Sequence, residues 1–189
     1  MIILIPSLRR AAGCSLLLLS AIAGASGARE GDPRVLMSRE EAFKVILPGA
    51  DRVVSSTRRL TTEARARLDK KSGRRMAADT VTLWAGLKYG DTIGYAFILD
   101  EIGLHHSITF GVGVKPDGRL VDCVVMVFRE SKGSEIKDIR FRRQFHGKTL
   151  SDPIRLHRDI VHVTGATYSS RAAADAVRKA LSLLAEVKP

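Results

Sequence analysis

The chain has 189 residues, of which 45% are hydrophobic and only 5% aromatic, enough for one packed domain with a mostly aliphatic core. Its formal charge is +11, and residues 29–189 carry +9 because the first 28 residues hold two arginines and no acid. Only Cys123 lies beyond that N-terminal stretch, which excludes an internal disulfide there. No Cys-x-x-Cys-His motif is present, which excludes an attached c-type haem.

Residues 1–28 have the layout of a secretory signal peptide. Arg9 and Arg10 precede an apolar stretch, and Ser26 and Ala28 occupy the small-residue positions of a cleavage site before Arg29. The apolar stretch is also long enough to act as an uncleaved membrane anchor. Both alternatives predict an exported protein, either periplasmic or anchored to the outer face of the cytoplasmic membrane.

A short polar linker at 29–37 leads into a domain that we expect to span residues 38–189. The stretch SREEAFKVIL begins with a capping box, in which Ser38 caps a helix and Glu41 occupies its third position. Pro48 and the glycine after it end this helix.

The stretch from Asp51 to Arg75 is strongly basic, and from about Thr62 it is predicted to form an exposed helix. Such a stretch is usually a solvated face. It also suits anionic lipid headgroups or an acidic redox partner, because charge complementarity raises association rates. Nucleic acid is not expected as a partner, since the chain is exported and the stretch lacks aromatic residues that would stack on bases. The basic residues are Arg52, Arg58, Arg59, Arg65, Arg67, Lys70, Lys71, Arg74 and Arg75.

The middle of the chain predicts an antiparallel, twisted sheet of four or more strands. TVTLWAG at 80–86 alternates apolar residues with a period of two, and IGYAFIL and SITFGVGV follow it. Asp117 and Gly118 supply a hairpin turn, after which LVDCVVMVFRE returns as an apolar, central strand.

Helical patterns dominate the last third of the chain. SEIKDIRFRRQF at 134–145 is predicted to form a helix that ends at Gly147, and DIVHV at 159–163 a short extended piece. Strands followed by helices predict an α+β fold. The last helix has a core-facing apolar stripe made of Ala173, Ala176, Val177, Ala180, Leu181 and Leu184.

The segment VTGATYSS at 163–170 brings small residues and hydroxyls to the start of this last helix. Gly165 and Ala166 allow a ligand to approach the backbone closely, and a helix N-terminus suits a phosphate group. Serine and threonine are also the usual helix-capping residues, so the segment predicts either a phosphate site or a simple cap. The hydroxyl residues concerned are Thr167, Ser169 and Ser170.

TGATYSS followed by an alanine-rich helix resembles the flavinylation motif, Ser/Thr-Gly-Ala-Thr, of the FMN-binding domain family. That domain occurs in the G subunit of the Rnf electron-transport complex, in the C subunit of the sodium-pumping NADH:quinone reductase, and in small exported flavoproteins. Four further segments are similar to the family's and stand in the same order: EEAFKVILPGA, GYAF, KPDGRLVDCVVMVFRES and RRQFHGKTL. The resemblance covers roughly residues 38–185.

The resemblance implies a covalent cofactor. In the family, the last threonine of the motif forms a phosphoester with FMN, made by a Mg²⁺-dependent flavin transferase that uses FAD as donor. This role falls on Thr167, and Thr164, Gly165 and Ala166 would shape the turn. We also expect Ser169 and Ser170 at the cofactor. Glu130 would lie near the flavin or its attachment loop, with the flavin ring over the sheet or the loops around Glu130 and Phe145.

One position departs from the family pattern. Many modified members have an aspartate six residues before the attached threonine, where this chain has Val161. The nearest aspartate, Asp159, stands two residues further upstream. The departure bears on recognition by the transferase and leaves the expected fold unchanged.

Together these features predict an exported flavoprotein that passes electrons in a membrane-associated or periplasmic redox chain, rather than an enzyme with its own small substrate. A cofactor-free basic module, which binds anionic lipid or an acidic protein at the envelope, is the alternative. An FMN-dependent reductase is a third reading, although the sequence contains no substrate-binding constellation.

No metal site is expected, because the histidine pairs lack a chelating spacing. His105 and His106 are adjacent and would face opposite ways in a strand. His157 and His162 are five residues apart, which is off the helical spacing of four.

Overall fold

The computed structural model describes residues 33–72 and 78–188. A six-stranded antiparallel sheet is packed against helices, which confirms the predicted α+β class. The strands are β1 (Arg34–Val35), β2 (Arg52–Arg59), β3 (Thr80–Lys88), β4 (Asp91–Ile102), β5 (Ser107–Val114) and β6 (Leu120–Phe128). The helices are α1 (Arg39–Ile46), α2 (Thr62–Ser72), α3 (Ile139–Arg142) and α4 (Thr167–Val187).

The strand order is β1-β6-β5-β4-β3-β2, so the four strands predicted from the sequence form the centre of the sheet. At one edge, Arg34 and Val35 pair with Phe128 and Val127 of β6. The sheet therefore includes two residues of the segment that we expected to be a linker.

Strand β2 forms the other edge and was not predicted. Its sequence, RVVSSTRR, has no apolar alternation, and almost all of its residues are exposed. It pairs with β3 along its whole length, from Arg52 opposite Leu87 to Arg59 opposite Thr80. The helix predicted from about Thr62 is confirmed as α2. Among the residues of the basic stretch, Arg74 and Arg75 lie outside the described ranges.

Helix α4 packs along one face of the sheet and holds the larger core. All six residues of its predicted stripe are buried, as are most of its other side chains. Phe97, Phe110 and Phe128 meet it from the strands, and each is fully buried. Lys179 on α4 also donates to the buried carboxylate of Glu101 on β4 at 2.8 Å. The position of the start of α4 is therefore fixed by the core.

Helix α1 covers the opposite face. The predicted capping box is present: the Glu41 N–H donates to Ser38 Oγ at 3.2 Å, and the Ser38 N–H donates to Glu41 Oε2 at 2.8 Å. The C-terminal end of α1 lies directly on sheet glycines. A Cβ on Gly113 would lie 2.7 Å from the Cβ of Ile46 and closer still to the Ile46 carbonyl oxygen. Glycine is therefore needed where the helix backbone touches the sheet.

The single helix predicted at 134–145 is wrong. Residues 134–137 form a 3-10 turn, the short helix α3 follows, and a second 3-10 turn covers 143–145. Asp138 separates the first two pieces because its backbone is extended, with φ −65° and ψ 139°. Phe141 and Phe145 anchor the pieces in the core, with their ring centroids 5.4 Å apart. The predicted extended piece at 159–163 is reduced to one bridge between Leu156 and Ile160.

Two neighbouring residues of β6 have contrasting chemistry. Asp122 pairs with Arg142 of α3; although burial opposes ionisation, this pairing holds the pKa of Asp122 below its usual value. Cys123 lies in the core, and burial raises the pKa of its thiol far above the usual range. Its thiol therefore stays protonated.

Across residues 33–72 and 78–188, no helix combines the length and the apolar character required to cross a bilayer. The expected signal peptide or anchor at 1–28 lies outside these ranges.

The contact between α1 and the sheet predicts a difference between two glycines. Gly113→Ala should lower the free energy of unfolding by about 3 kcal/mol, because the new methyl group meets helix backbone. Gly94→Ala is the matched control, since its Cβ would lie 3.0 Å from the flexible end of Leu47 and at an ordinary contact distance of 3.4 Å from the Val114 carbonyl oxygen. It should cost about 1 kcal/mol or less. Urea unfolding measures both, and equal losses would contradict the role assigned to Gly113.

Candidate FMN site

The segment that precedes α4 forms a tight turn. The Ala166 N–H donates to the Val163 carbonyl at 2.9 Å, and Gly165 has a φ of +79°, a conformation that favours glycine. Thr164 and Gly165 are exposed, Ala166 is buried, and Thr167 is half-buried as the first residue of α4. The hydroxyl of Thr167 is therefore placed at the point where the turn meets the helix.

The first turn of α4 leaves backbone donors outside the helical ladder. The first intrahelical bond runs from the Ser170 N–H to the Ala166 carbonyl at 2.8 Å. The N–H groups of residues 167–169 precede that bond, and no side chain caps this end of the helix. The simple hydroxyl cap is therefore wrong, and the free donors suit an anion.

Ser169 and Ser170 are turned into the protein. The Ser170 hydroxyl is fully buried and accepts from the Val163 N–H at 3.2 Å, which closes the turn. The Ser169 hydroxyl is also buried and faces Gly133, where an added Cβ would lie only 2.5 Å from Ser169 Oγ. These two serines hold the turn against the rest of the fold, while Thr164, Gly165 and Thr167 form its accessible part.

Glu130 follows β6 and directs its carboxylate at the turn between β4 and β5. Oε1 accepts from the His105 N–H at 2.8 Å and from the His106 N–H at 3.0 Å. A Cβ on Gly103 would lie 2.5 Å from the same oxygen, so a side chain there would displace the carboxylate from these donors. Residues 163–167 are called the attachment turn here, after the role expected of Thr167. Glu130 is linked to this turn through the chain, since a Cβ on Gly133, three residues on, would meet Ser169 and Ala166.

The pKa of Glu130 lies below its usual value. Burial would raise this pKa, but hydrogen bonds from the N–H groups of residues 104–106 stabilise the charged form and outweigh the burial. Glu130 is therefore an ionised, structural acceptor.

Val161 occupies the position where many family members have aspartate. Its side chain is 73% exposed, so it packs against little. Its backbone is held by the amide of Gln144: the Val161 N–H donates to Oε1 at 2.7 Å, and Nε2 donates to the Val161 carbonyl at 3.0 Å. The predicted RRQF segment thus fixes the approach to the attachment turn.

Asp159, the nearest aspartate, is committed elsewhere. Its carboxylate accepts from Lys148 Nζ at 2.8 Å and from the N–H groups of Ile154 and Arg155 at 3.0 Å and 2.9 Å. The lysine and these backbone donors lower the pKa of Asp159 in spite of its burial. Asp159 therefore closes the loop at 148–160 and does not replace the aspartate that Val161 lacks.

Residues 103–182 match the model of the FMN-binding domain family. The chain contains an FMN-binding domain. The match includes Glu130 and the attachment turn, whereas residues 38–102 lie outside it. No curated protein matches the chain. The family match confirms the resemblance seen in the sequence and favours the flavoprotein over the cofactor-free module.

The residues at the start of α4 fit the phosphate end of FMN. Three backbone N–H groups lie outside the ladder, Gly165 and Ala166 add little bulk, and Arg171 follows Thr167 by one helical turn. FMN supplies one- and two-electron redox chemistry when bound, and the chain supplies its position and electrostatics. Phe145 is fully buried, so its ring belongs to the core and offers no face to the flavin.

The structure brings together residues that the sequence kept apart. The rings of His157 and His162 lie 5.0 Å apart because the loop at 148–160 folds back, a contact that helical spacing does not reveal. Arg155 and Arg171 also line one cavity, together with His157. His105 and His106 lie in the turn between β4 and β5, with ring centroids 6.5 Å apart. Among the described residues, no group of three or more metal-ligating side chains is present.

The carboxylate of Glu130 predicts a pH-dependent stability. Glu130→Gln should lower the free energy of unfolding by about 2 kcal/mol at pH 7, because a neutral amide accepts backbone hydrogen bonds more weakly. The folded-state pKa lies below the usual 4.5, so the carboxylate's contribution is complete above pH 4.5. This contribution to stability is lost as the pH falls from 4.5 through the lowered pKa of the folded state.

Chemical unfolding of both proteins at pH 7 and pH 3 measures this difference, which should shrink at pH 3. Glu135→Gln is the control, because Glu135 is exposed and its change should have little effect. A difference that is the same at both pH values would rule out the charged form of Glu130 as the cause.

Proposed function

We propose that this protein carries FMN covalently, through a phosphoester on the hydroxyl of Thr167, and that it transfers electrons in a redox chain at the cell envelope. The position of Thr167 is the observation that supports this most. Its hydroxyl stands at the junction of an exposed turn and a helix start whose backbone donors suit a phosphate. The tether would keep the cofactor on an exported protein, where free FMN is not supplied.

An electron-transfer role suits the site better than turnover of a small substrate. Glu130 is committed to backbone donors and Asp159 to Lys148, so neither is free to act as a general acid or base. Among the described residues around the turn, the available groups are backbone donors and cations, which would bind and orient a cofactor. The flavin itself would perform the redox step.

The proposed partners follow from the same arrangement. An FAD-dependent flavin transferase must reach Thr167, and the exposure of Thr164 and Gly165 leaves the turn open to it. Redox partners, in the membrane or the periplasm, would exchange electrons with the bound flavin. The exposed arginines of β2 suit an anionic membrane surface or an acidic partner protein.

The attachment site can be tested by intact mass under denaturing conditions. The protein is co-expressed with a flavin transferase from the same source and exported. The mass of the wild-type chain should increase by FMN less one water, and Thr167→Val should abolish this increase while leaving the fold intact. Thr164→Val is the matched control, because it removes a hydroxyl from the same turn and should keep the flavin. A flavin that survives Thr167→Val would refute the attachment site.

Val161 provides a second test, on recognition by the transferase. Val161→Asp should leave the flavinylated fraction unchanged or raise it, because the side chain is exposed and no packing is lost. The fraction is measured by intact mass at limiting transferase. A fall would mean that the side chain at this position obstructs the transferase or disturbs the clamp made by Gln144.

A further inference from the structure

A small cavity lies beside α4, one helical turn beyond Thr167. Its volume is about 230 Å³, and it lies between the loop at 155–157 and one stripe of the helix, with its outer side open to solvent. This is below the roughly 300–1,000 Å³ of sites for drug-sized ligands, so it fits a small group. The lining residues are Arg155, Leu156, His157, Arg171, Ala174, Asp175 and Arg178.

The charge of this cavity is strongly positive. Three arginines line it, and among the described lining residues Asp175 is the one acid. Asp175 pairs with Arg178, whose Nη1 also donates to the Ile154 carbonyl at 2.6 Å. Arg178 is therefore held in place and its charge is offset, while Arg155 and Arg171 remain in excess.

Arg155 and Arg171 are both exposed and free to meet a ligand. Neither forms an ion pair with any residue in the described ranges, and the Arg171 guanidinium lies 5.9 Å from the centroid of the Tyr168 ring. The nearby acids of the loop face away, since Asp159 bonds to Lys148 and Asp152 to Thr149. The cavity is thus lined by arginines, while the carboxylates of Asp159 and Asp152 bond within the neighbouring loop.

The cavity is connected to the attachment turn on two sides. Arg171 follows Thr167 by four residues on the same helix face, a rise of about 6 Å. His157 touches His162, which precedes Thr164 by two residues. An anion in the cavity would therefore lie about one helical turn from the start of α4, where Thr167 stands.

We propose that this cavity is a phosphate-binding pocket, in which Arg155 and Arg171 bind the phosphate group. Arg178 holds the adjoining loop in place through the Ile154 carbonyl. Guanidinium groups bind phosphate through charge-assisted hydrogen bonds, which are stronger than neutral ones. The phosphate could come from FMN on Thr167 or from a separate phosphate-bearing molecule, such as the second phosphate of a dinucleotide donor. Only this choice of source rests on the proposed function, since the pocket itself does not require flavin.

The test is a titration of the purified full chain with inorganic phosphate, followed by NMR of the arginine side-chain N–H signals at constant ionic strength. The first arm uses Thr167→Val, which carries no flavin. Saturable shifts of Arg155 and Arg171 are expected. Arg171→Gln and Arg155→Gln should each weaken binding by about tenfold. Arg58→Gln on β2, with the same loss of charge at the sheet edge, should leave it unchanged.

The second arm uses the flavinylated chain and identifies the source. If phosphate no longer binds, the pocket holds the phosphate of FMN; if it still binds, the pocket serves a separate phosphate. Shifts that do not saturate, as expected of a surface that meets an acidic protein, would overturn the proposal. An equal loss in Arg58→Gln would also overturn it. Failure of the chain to become flavinylated would refute Thr167 as the attachment site and leave the first arm unaffected.

Discussion

The burial of helix α4 against the sheet is the constraint on which the rest of the structure depends. The helix is buried on most of its circumference, and alanines along its length let it lie close to β4 and β5. Each fully buried valine or leucine contributes about 1.5–3 kcal/mol, so the helix cannot shift without a large loss. Its first residue is therefore held at a fixed point, and Thr167 is that residue.

Loops complete the site, and charged groups inside the fold hold those loops. Glu130 binds the turn between β4 and β5, and Asp159 closes the loop that faces α4. Both are carboxylates that accept from backbone N–H groups, an arrangement that offsets the cost of their partial burial. The accessible groups near the attachment turn are consequently cations and backbone donors, which is the electrostatic setting that a phosphate requires.

The sequence was sufficient for the elements that have a strong periodicity. The alternation around Leu83, the apolar run through Cys123 and the alanine stripe of α4 each predicted the element that is present. Strand β2 was missed because its exposed residues carry no pattern, and its pairing with β3 along its whole length depends on a distant part of the chain. The helix predicted at 134–145 was wrong because the extended backbone of Asp138 interrupts it, although the sequence pattern is continuous there.

The candidate site likewise has a part that the sequence predicted and a part that it did not. The motif located Thr167 and its turn because the signal is local in sequence. The contacts of Glu130 with residues 104–106, the clamp by Gln144 and the approach of Arg155 to Arg171 join distant parts of the chain. Such contacts depend on how the loops fold back in three dimensions, which the spacing of residues along the chain does not predict.

The buried thiol of Cys123 has a consequence for a domain that carries a flavin. Reduced flavins pass electrons to oxygen, and the peroxide that results oxidises thiols through their thiolate form. Because the thiol of Cys123 is kept protonated and out of contact with solvent, it is chemically silent within the described fold. An oxidant formed at a bound flavin would therefore find this sulfur protected within the described fold.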